Sequence, residues 1–258
     1  MMWRALADVV LAAVLAPVCA VCGAVLDRPL DGPVCHDCWA RVVRFTPPWC
    51  AHCGMPLPSA RVAEAHDGRC LACSVQLGTI SAARAVGPFE GALADIVHAL
   101  KYRRRPSIAR KLGPLVRAAA SDLLAGFDVV VPVPLHSRRE RERGFNQAEL
   151  LAAAVGPPLC RALARPVYTA PQVTASGRAR WANVQGAFAP GPDFAAVAGR
   201  TVALVDDVLT TGATLSAAAA MLGAAAPARV VALTAARAEL GRLSPLHDAP
   251  PPALARRR

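Results

Sequence analysis

The chain's 258 residues leave room for one fair-sized domain and an appendage. Hydrophobic residues make up 54% of it, but much of that is alanine, which does not describe a membrane protein. Lys+Arg 29 against Asp+Glu 18 gives a formal charge of +11, and counting eight cysteines as thiolates of two zinc ions would lower this to about +7. A phosphate-handling enzyme and a nucleic-acid binder both fit that balance, part of which sits in Arg256-Arg257-Arg258.

The first residues resemble an export signal: Arg4, an apolar run to Val18, then small residues. Asp8 interrupts the run, however, and cleavage after Ala20 would remove Cys19, the first member of a C-x-x-C pair. The run is also too short to span a bilayer. The pattern predicts a helix over Leu6–Leu15, buried or facing a partner and ended by Pro17, in a cytoplasmic protein without a membrane span.

Eight of the nine cysteines follow as four C-x-x-C pairs: Cys19/Cys22, Cys35/Cys38, Cys50/Cys53 and Cys70/Cys73. Such a pair forms a tight knuckle that aims two sulfurs at one metal, and two knuckles complete a tetrahedron. CAVCG and CAHCG carry glycine directly after the second cysteine, whereas CHDCW and CLACS have a glycine shortly before, Gly32 or Gly68. The unit knuckle-Gly, loop, Gly, knuckle therefore occurs twice, which predicts two structural Zn²⁺ sites, each formed within one repeat. The spacers of 12 and 16 residues lie just below and inside the usual ribbon range. Crossed pairing and disulfides are the alternatives. With little apolar core in this segment, metal would supply its folding energy. His36, His52 and His66 are surplus to the eight thiolates and read as surface residues.

From Ser81 the composition changes. Leu93, Ile96, Val97 and Leu100 make an apolar helical stripe over Gly91–Leu100. A basic turn follows, Lys101-Tyr102-Arg103-Arg104-Arg105, closed by Pro106. It suits either a solvated helix end or an anion site. Ser107–Leu124 reads as helical, kinked or split at Gly113-Pro114. Phe127–Val133 reads as a strand buried on both faces, delivering an arginine-dense loop with Arg138, Arg139, Arg141 and Arg143, followed by a helix opened by Asn146 or Gln147. Ligands of parallel sheets bind at such strand ends, and Arg143 beside Gly144 is the expected phosphate contact. Cys160 reads as a small buried apolar residue. Residues 161–188 lack periodicity and read as a lid or a disordered link, with Arg180 and Asn183 among the polar groups.

Val202-Ala203-Leu204-Val205 is a further doubly buried strand, followed by Asp206 and Asp207 and by the small-residue loop Thr210-Thr211-Gly212-Ala213-Thr214. Backbone N–H groups at a small loop and a helix N-terminus hold phosphate, and the acidic pair accepts hydrogen bonds from vicinal hydroxyls one sugar-length away. The stretch resembles the 5-phosphoribosyl 1-diphosphate (PRPP) motif of type I phosphoribosyltransferases. Arg229–Ala235 reads as the last strand, and the Pro- and Arg-rich segment from Gly241 as a disordered tail.

Taken with HALKY (98–102), VPVPL (131–135), RGFNQA (143–148), TAPQ (169–172) and R-x-x-N-x-x-G-A-F (180–188), the order resembles the ComF/GntX family of competence-associated phosphoribosyltransferase-like proteins. The resemblance implies an α/β fold: a type I phosphoribosyltransferase-like parallel sheet flanked by helices, preceded by a small double zinc-ribbon domain. The boundaries expected are 1–17 apolar helix, 18–78 double zinc ribbon, 79–240 phosphoribosyltransferase-like domain and 241–258 basic tail. By the same resemblance, Asp206 and Asp207 bind ribose hydroxyls and Val208, Leu209, Thr210, Thr211, Gly212, Ala213 and Thr214 the 5-phosphate. Lys101 and Arg138–Gly144 face the pyrophosphate, with Mg²⁺ accompanying PRPP, and the 169–188 segment closes over the site. Three functions follow: transfer of a phosphoribosyl group to an unknown acceptor, PRPP or nucleotide sensing without turnover, and handling of single-stranded DNA with competence proteins. Basic residues without interleaved aromatics make the last the weakest from sequence.

Overall fold

Short runs of Val, Ala and Leu build a sheet covered on both faces. The computed structural model describes residues 2–70, 73, 77–123, 126–156, 158–168, 184 and 186–238. Its strands are β1 (Ala82–Pro88), β2 (Val129–Pro132), β3 (Leu163–Ala164), β4 (Ala189–Pro190), β5 (Thr201–Leu209) and β6 (Arg229–Arg237). Its α-helices, in chain order, are α1 (Met2–Leu15), α2 (His36–Ala40), α3 (Ala60–Ala65), α4 (Gly91–Tyr102), α5 (Ala109–Ala119), α6 (Ser137–Arg143), α7 (Gln147–Val155) and α8 (Ala213–Gly223). Four strands form one parallel sheet in the order β1-β6-β5-β2, and β3 and β4 form a separate antiparallel pair.

Strand residues alternate between faces. Ala203 and Val205 of β5 meet Ile96, Leu100, Leu112, Val116 and Leu151 on the face covered by α4, α5 and α7. Val202 and Leu204 meet Leu215, Ala219 and Leu222 of α8 together with Leu163 and Phe188 on the other.

The cysteine segment is shared between these two cores. Cys19, Leu26, Val34 and Cys38 pack on the α4 face, whereas Cys50, Cys53 and Leu57 pack on the α8 face. The chain between the repeats runs along β1, where Phe45 N–H donates to Val86 O and Ala83 N–H to His52 O, both at 2.8 Å. A Cβ on Gly87 would lie 2.0 Å from Val43 O, and one on Gly54 would lie 2.4 Å from Ala83 O, so only glycine permits this approach. The cysteine segment thus covers the free edge of the sheet.

Several sequence expectations need correction. Strand β1 was not foreseen, because alanine and glycine dominate AARAVGP and blur its pattern. The helix of 107–124 is not split: Pro106–Ile108 forms a 3₁₀ turn and α5 runs unbroken through Pro114. The arginine-dense loop is helix α6, ended at Gly144 in the left-handed conformation. The strand carrying the acidic pair does not stop before it but continues to Leu209. Helix α1 buries Asp8, which accepts from Leu30 N–H at 2.9 Å, yet leaves Val9 and Val14 64% and 74% exposed. The lid residues Arg180 and Asn183, and the tail 241–258, lie outside the described residues.

Candidate functional site

The site begins where β5 outruns its neighbour. Pairing with β2 ends at Pro132 opposite Val205, so Asp206–Leu209 continue with only β6 beside them. The chain then turns through Thr210 and Thr211 to Gly212, which sits at φ +83 as the N-cap of α8. Thr211 Oγ1 accepts from Ala213 N–H at 3.4 Å, and Gly212 O accepts from Ser216 N–H at 2.8 Å. N–H groups of a first helical turn have no carbonyl partner inside the helix and aim at this turn, with the positive end of the helix dipole behind them.

Asp207 is held by a helix packed on the sheet. Lys101 Nζ, at the end of α4, lies 2.9 Å from Asp207 Oδ1, with both side chains largely buried. Burial alone would lower the Lys101 pKa; the Asp207 carboxylate, with Tyr102 and Asp206 acting in the same direction, outweighs it and holds the pKa above its ordinary value. Asp206 Oδ1 accepts from Asp207 N–H at 2.8 Å. Burial, reinforced by the Asp207 charge, pushes the Asp206 carboxyl up to about 7, against the opposing pull of that N–H, Lys101 and Arg165.

Buried polar atoms without a hydrogen-bond partner concentrate at this end of the sheet. Asp207 Oδ2, Thr234 Oγ1 and Arg237 Nε are all in this state. Thr234 is in register with Asp206, and Arg237 with Leu209. Neither Thr234 nor Arg237 was singled out from sequence, although a lone arginine closing an apolar strand was the available signal.

Helix α6 borders the site. His136 Nδ1 accepts from Arg138 N–H at 3.1 Å to start it, and Asn146 caps α7 by accepting from Ala148 N–H at 3.0 Å while donating to Val133 O at 3.1 Å. Arg143 stacks over Tyr102 at 5.5 Å and donates to Gln147 Oε1, which places it one residue from Lys101. Arg138 pairs with Glu142 at 2.9 Å, and Arg138 and Arg139 lie 4.9 and 5.7 Å from the Tyr168 ring. A cleft of about 470 Å³ beyond the end of β2 is lined by His136, Glu140, Asn146, Arg161 and Arg165 among others.

The eight cysteines gather as expected. Cys19, Cys22, Cys35 and Cys38 form one quartet and Cys50, Cys53, Cys70 and Cys73 the other, with the sulfurs of each within 4.8 Å of one another. Cys22 and Cys35 sulfurs are 3.7 Å apart, Cys53 and Cys70 3.7 Å, and Cys19 and Cys38 3.9 Å. A tetrahedron with Zn–S of about 2.3 Å has edges of roughly 3.8 Å, so both quartets fit zinc, and each lies within one repeat rather than across the two. Backbone N–H groups of Val21 and Cys35 point at Cys19 Sγ, and that of Cys53 at Cys50 Sγ, as thiolate ligands require.

Residues 10–74 match the double zinc ribbon domain family, and residues 117–249 match the phosphoribosyl transferase domain family. Competence protein F of Haemophilus influenzae is 31% identical over 193 residues, covering 71% of this chain and 81% of that protein. The chain belongs to the ComF/GntX family. DNA utilization protein YhgH of Escherichia coli K12 is 34% identical over 206 residues, covering 75% of the chain and 86% of that protein. Competence protein ComFC of Bacillus subtilis is 27% identical over 206 residues, covering 74% and 78%. The transferase match starts after α4, so Lys101 enters this ComF-family site from outside it. No helix among the described residues is long and apolar enough to cross a membrane.

Proposed function

We propose that this ComF-family protein binds PRPP, or a related phosphoribosyl compound, at the carboxyl end of β5. The observation that carries the reading is the junction itself. A half-buried and a buried carboxylate lead straight into a small-residue turn and a helix N-terminus, with unsatisfied polar atoms beside them. In this reading Asp206 and Asp207 accept hydrogen bonds from the ribose hydroxyls, and Val208–Thr214 wraps the 5-phosphate. Lys101 and Arg143 face the pyrophosphate. Mg²⁺ accompanying the substrate would offset part of the pyrophosphate's charge beside these two cations.

A transferase would use the same groups for positioning and charge stabilisation. The acceptor nitrogen's lone pair forms the bond to C1 of the ribose, the C1–O bond breaks, and its electron pair leaves with pyrophosphate. The names of the relatives, competence proteins and DNA utilization proteins, support a role in competence and the use of DNA. A nucleic-acid reading gains one observation that sequence lacked. Tyr102 and Tyr168, the chain's two tyrosines, are 38% and 37% exposed and lie against arginines of α6. Aromatic faces beside arginines suit bases and phosphates of a single strand.

Calorimetric titration with PRPP and Mg²⁺ tests the binding. Wild type should bind, and Asp206→Asn with Asp207→Asn should abolish binding in a chain that still folds, at lower stability because Lys101 loses its partner; equal affinities would sink the reading. Pyrophosphate release in the presence of a metabolite pool then separates a transferase from a sensor. A salt series with single-stranded DNA, with and without PRPP, shows whether the two ligands compete.

A further inference from the structure

The second cysteine quartet and the ligand end of the sheet meet at one side chain. Arg237 closes β6, in register with Leu209 on one side and Pro88 on the other, and is 4% exposed. Its Nη1 donates to the backbone carbonyl of Cys53, a member of the second quartet, and its Nε is buried without a partner. Among the described residues no carboxylate pairs with it. Burying a guanidinium is costly unless something fixed receives its hydrogens.

The knuckle supplies that fixed receiver. Its successive carbonyls are all held by the sheet: Ala51 O accepts from Arg84 Nη1 at 3.4 Å, His52 O from Ala83 N–H at 2.8 Å, and Cys53 O from Arg237. On the other side of Arg237, Ala238 N–H donates to Leu209 O at 2.9 Å, one residue before the Thr210–Gly212 turn. A rigid path therefore runs from the Cys53 sulfur through its own carbonyl and Arg237 to the end of β5.

We propose that Arg237 is a positioning residue coupling the second quartet to the phosphoribosyl site. Metal held by Cys50, Cys53, Cys70 and Cys73 then sets the affinity of Asp206–Thr214 for a phosphorylated ribose. The proposal rests on the ribose-phosphate reading of that segment. Loss of metal frees the knuckle, removes the acceptor of a buried cation, and releases the end of β6 against which the turn is built. Because coupling is reciprocal, ligand tightens metal by the factor that metal tightens ligand.

The test uses the full chain under reducing conditions, zinc-loaded or stripped by a chelator that is then removed, with ribose 5-phosphate as the probe. Stripping should weaken ribose 5-phosphate about tenfold and speed amide exchange at residues 209–212. Arg237→Met should retain two zinc ions, show the same loss and faster exchange, and lose nothing further on stripping. Arg237→Lys, which keeps a donor for Cys53 O, should recover most of the affinity. Wild-type binding and exchange in zinc-loaded Arg237→Met, or a full further loss when it is stripped, would overturn the coupling.

If Arg237→Met does not fold, zinc affinity of the wild type with and without saturating ribose 5-phosphate carries the test. An unchanged metal affinity overturns the proposal, and tightening by about tenfold supports it. Should ribose 5-phosphate fail to bind at all, the ribose-phosphate reading falls, and the exchange comparison at residues 209–212 still decides the coupling.

Discussion

Asp206 titrates near neutrality because burial and the Asp207 charge both disfavour its ionised form, raising its pKa to about 7. The sign for stability is that of a raised carboxyl: its contribution is fully present below the unfolded value of about 4 and is lost as pH rises through 7. In the proposed ribose-binding role the sign is opposite, since ribose hydroxyls would donate to a carboxylate and the acid must first release its proton. Affinity for ribose 5-phosphate should therefore rise with pH to a plateau above 7, measured by calorimetry. In Asp206→Asn this component should vanish, leaving only the ligand's own phosphate titration; an unchanged profile in the variant excludes Asp206 as its source. Lys101 gives a second prediction. Its removal leaves Asp207 buried and unpaired, so Lys101→Met should cost about 3 kcal/mol in denaturant unfolding at pH 7. A loss under about 1 kcal/mol would mean that the pair is solvated like a surface bridge.

Helices α5 and α7 pack where Gly113 meets Ala154. A Cβ at Gly113 would lie 2.3 Å from Ala154 Cβ and 3.0 Å from its carbonyl carbon, so backbone as well as side chain must shift. Gly113→Ala gains up to about 1 kcal/mol of helix propensity, against an overpacking cost of about 1–3 kcal/mol. Overpacking should prevail because α7 cannot move freely: Arg117 Nη1 grips Val155 O at 2.8 Å, and Asn146 ties the start of α7 to Val133. A lowered denaturation midpoint is the expected outcome, and a raised one would show that α7 slides. Helix α6 stands apart, with no buried residue. It is held at its start by His136, at its end by Gly144 and from outside by Arg104 Nη2 donating to Glu142 O at 2.8 Å.

Across the whole molecule, the cysteine repeats straddle the sheet instead of hanging from it. One packs on the α4 face, the other on the α8 face, and the chain between them seals β1. Metal analysis of protein purified without chelator should give two zinc ions per chain. Stripping both should lower the melting temperature of the transferase domain itself, seen in the near-ultraviolet signal, because each core loses part of its lining. An unchanged transferase transition would mean that the ribbons fold and unfold alone.

The elements that sequence determined are those whose chemistry is written in consecutive residues. Four C-x-x-C knuckles specify thiolate pairs, and a buried strand with two aspartates, a hydroxyl-rich turn and a helix start specifies the strand–turn–helix junction. Apolar spacing placed α4 and β6 for the same reason. Tertiary structure decided what lies across the sheet from what. It paired Lys101 with Asp207, brought both tyrosines onto α6 and set Arg237 on the Cys53 carbonyl. It also pressed each repeat against a different face. These contacts join residues that are distant in sequence, and they depend on strand order and on which face a side chain leaves. Strand β1 went unread for a related reason: an Ala- and Gly-rich segment has little pattern of its own, and it becomes a strand because β6 pairs with it on one side and the cysteine repeats close it on the other.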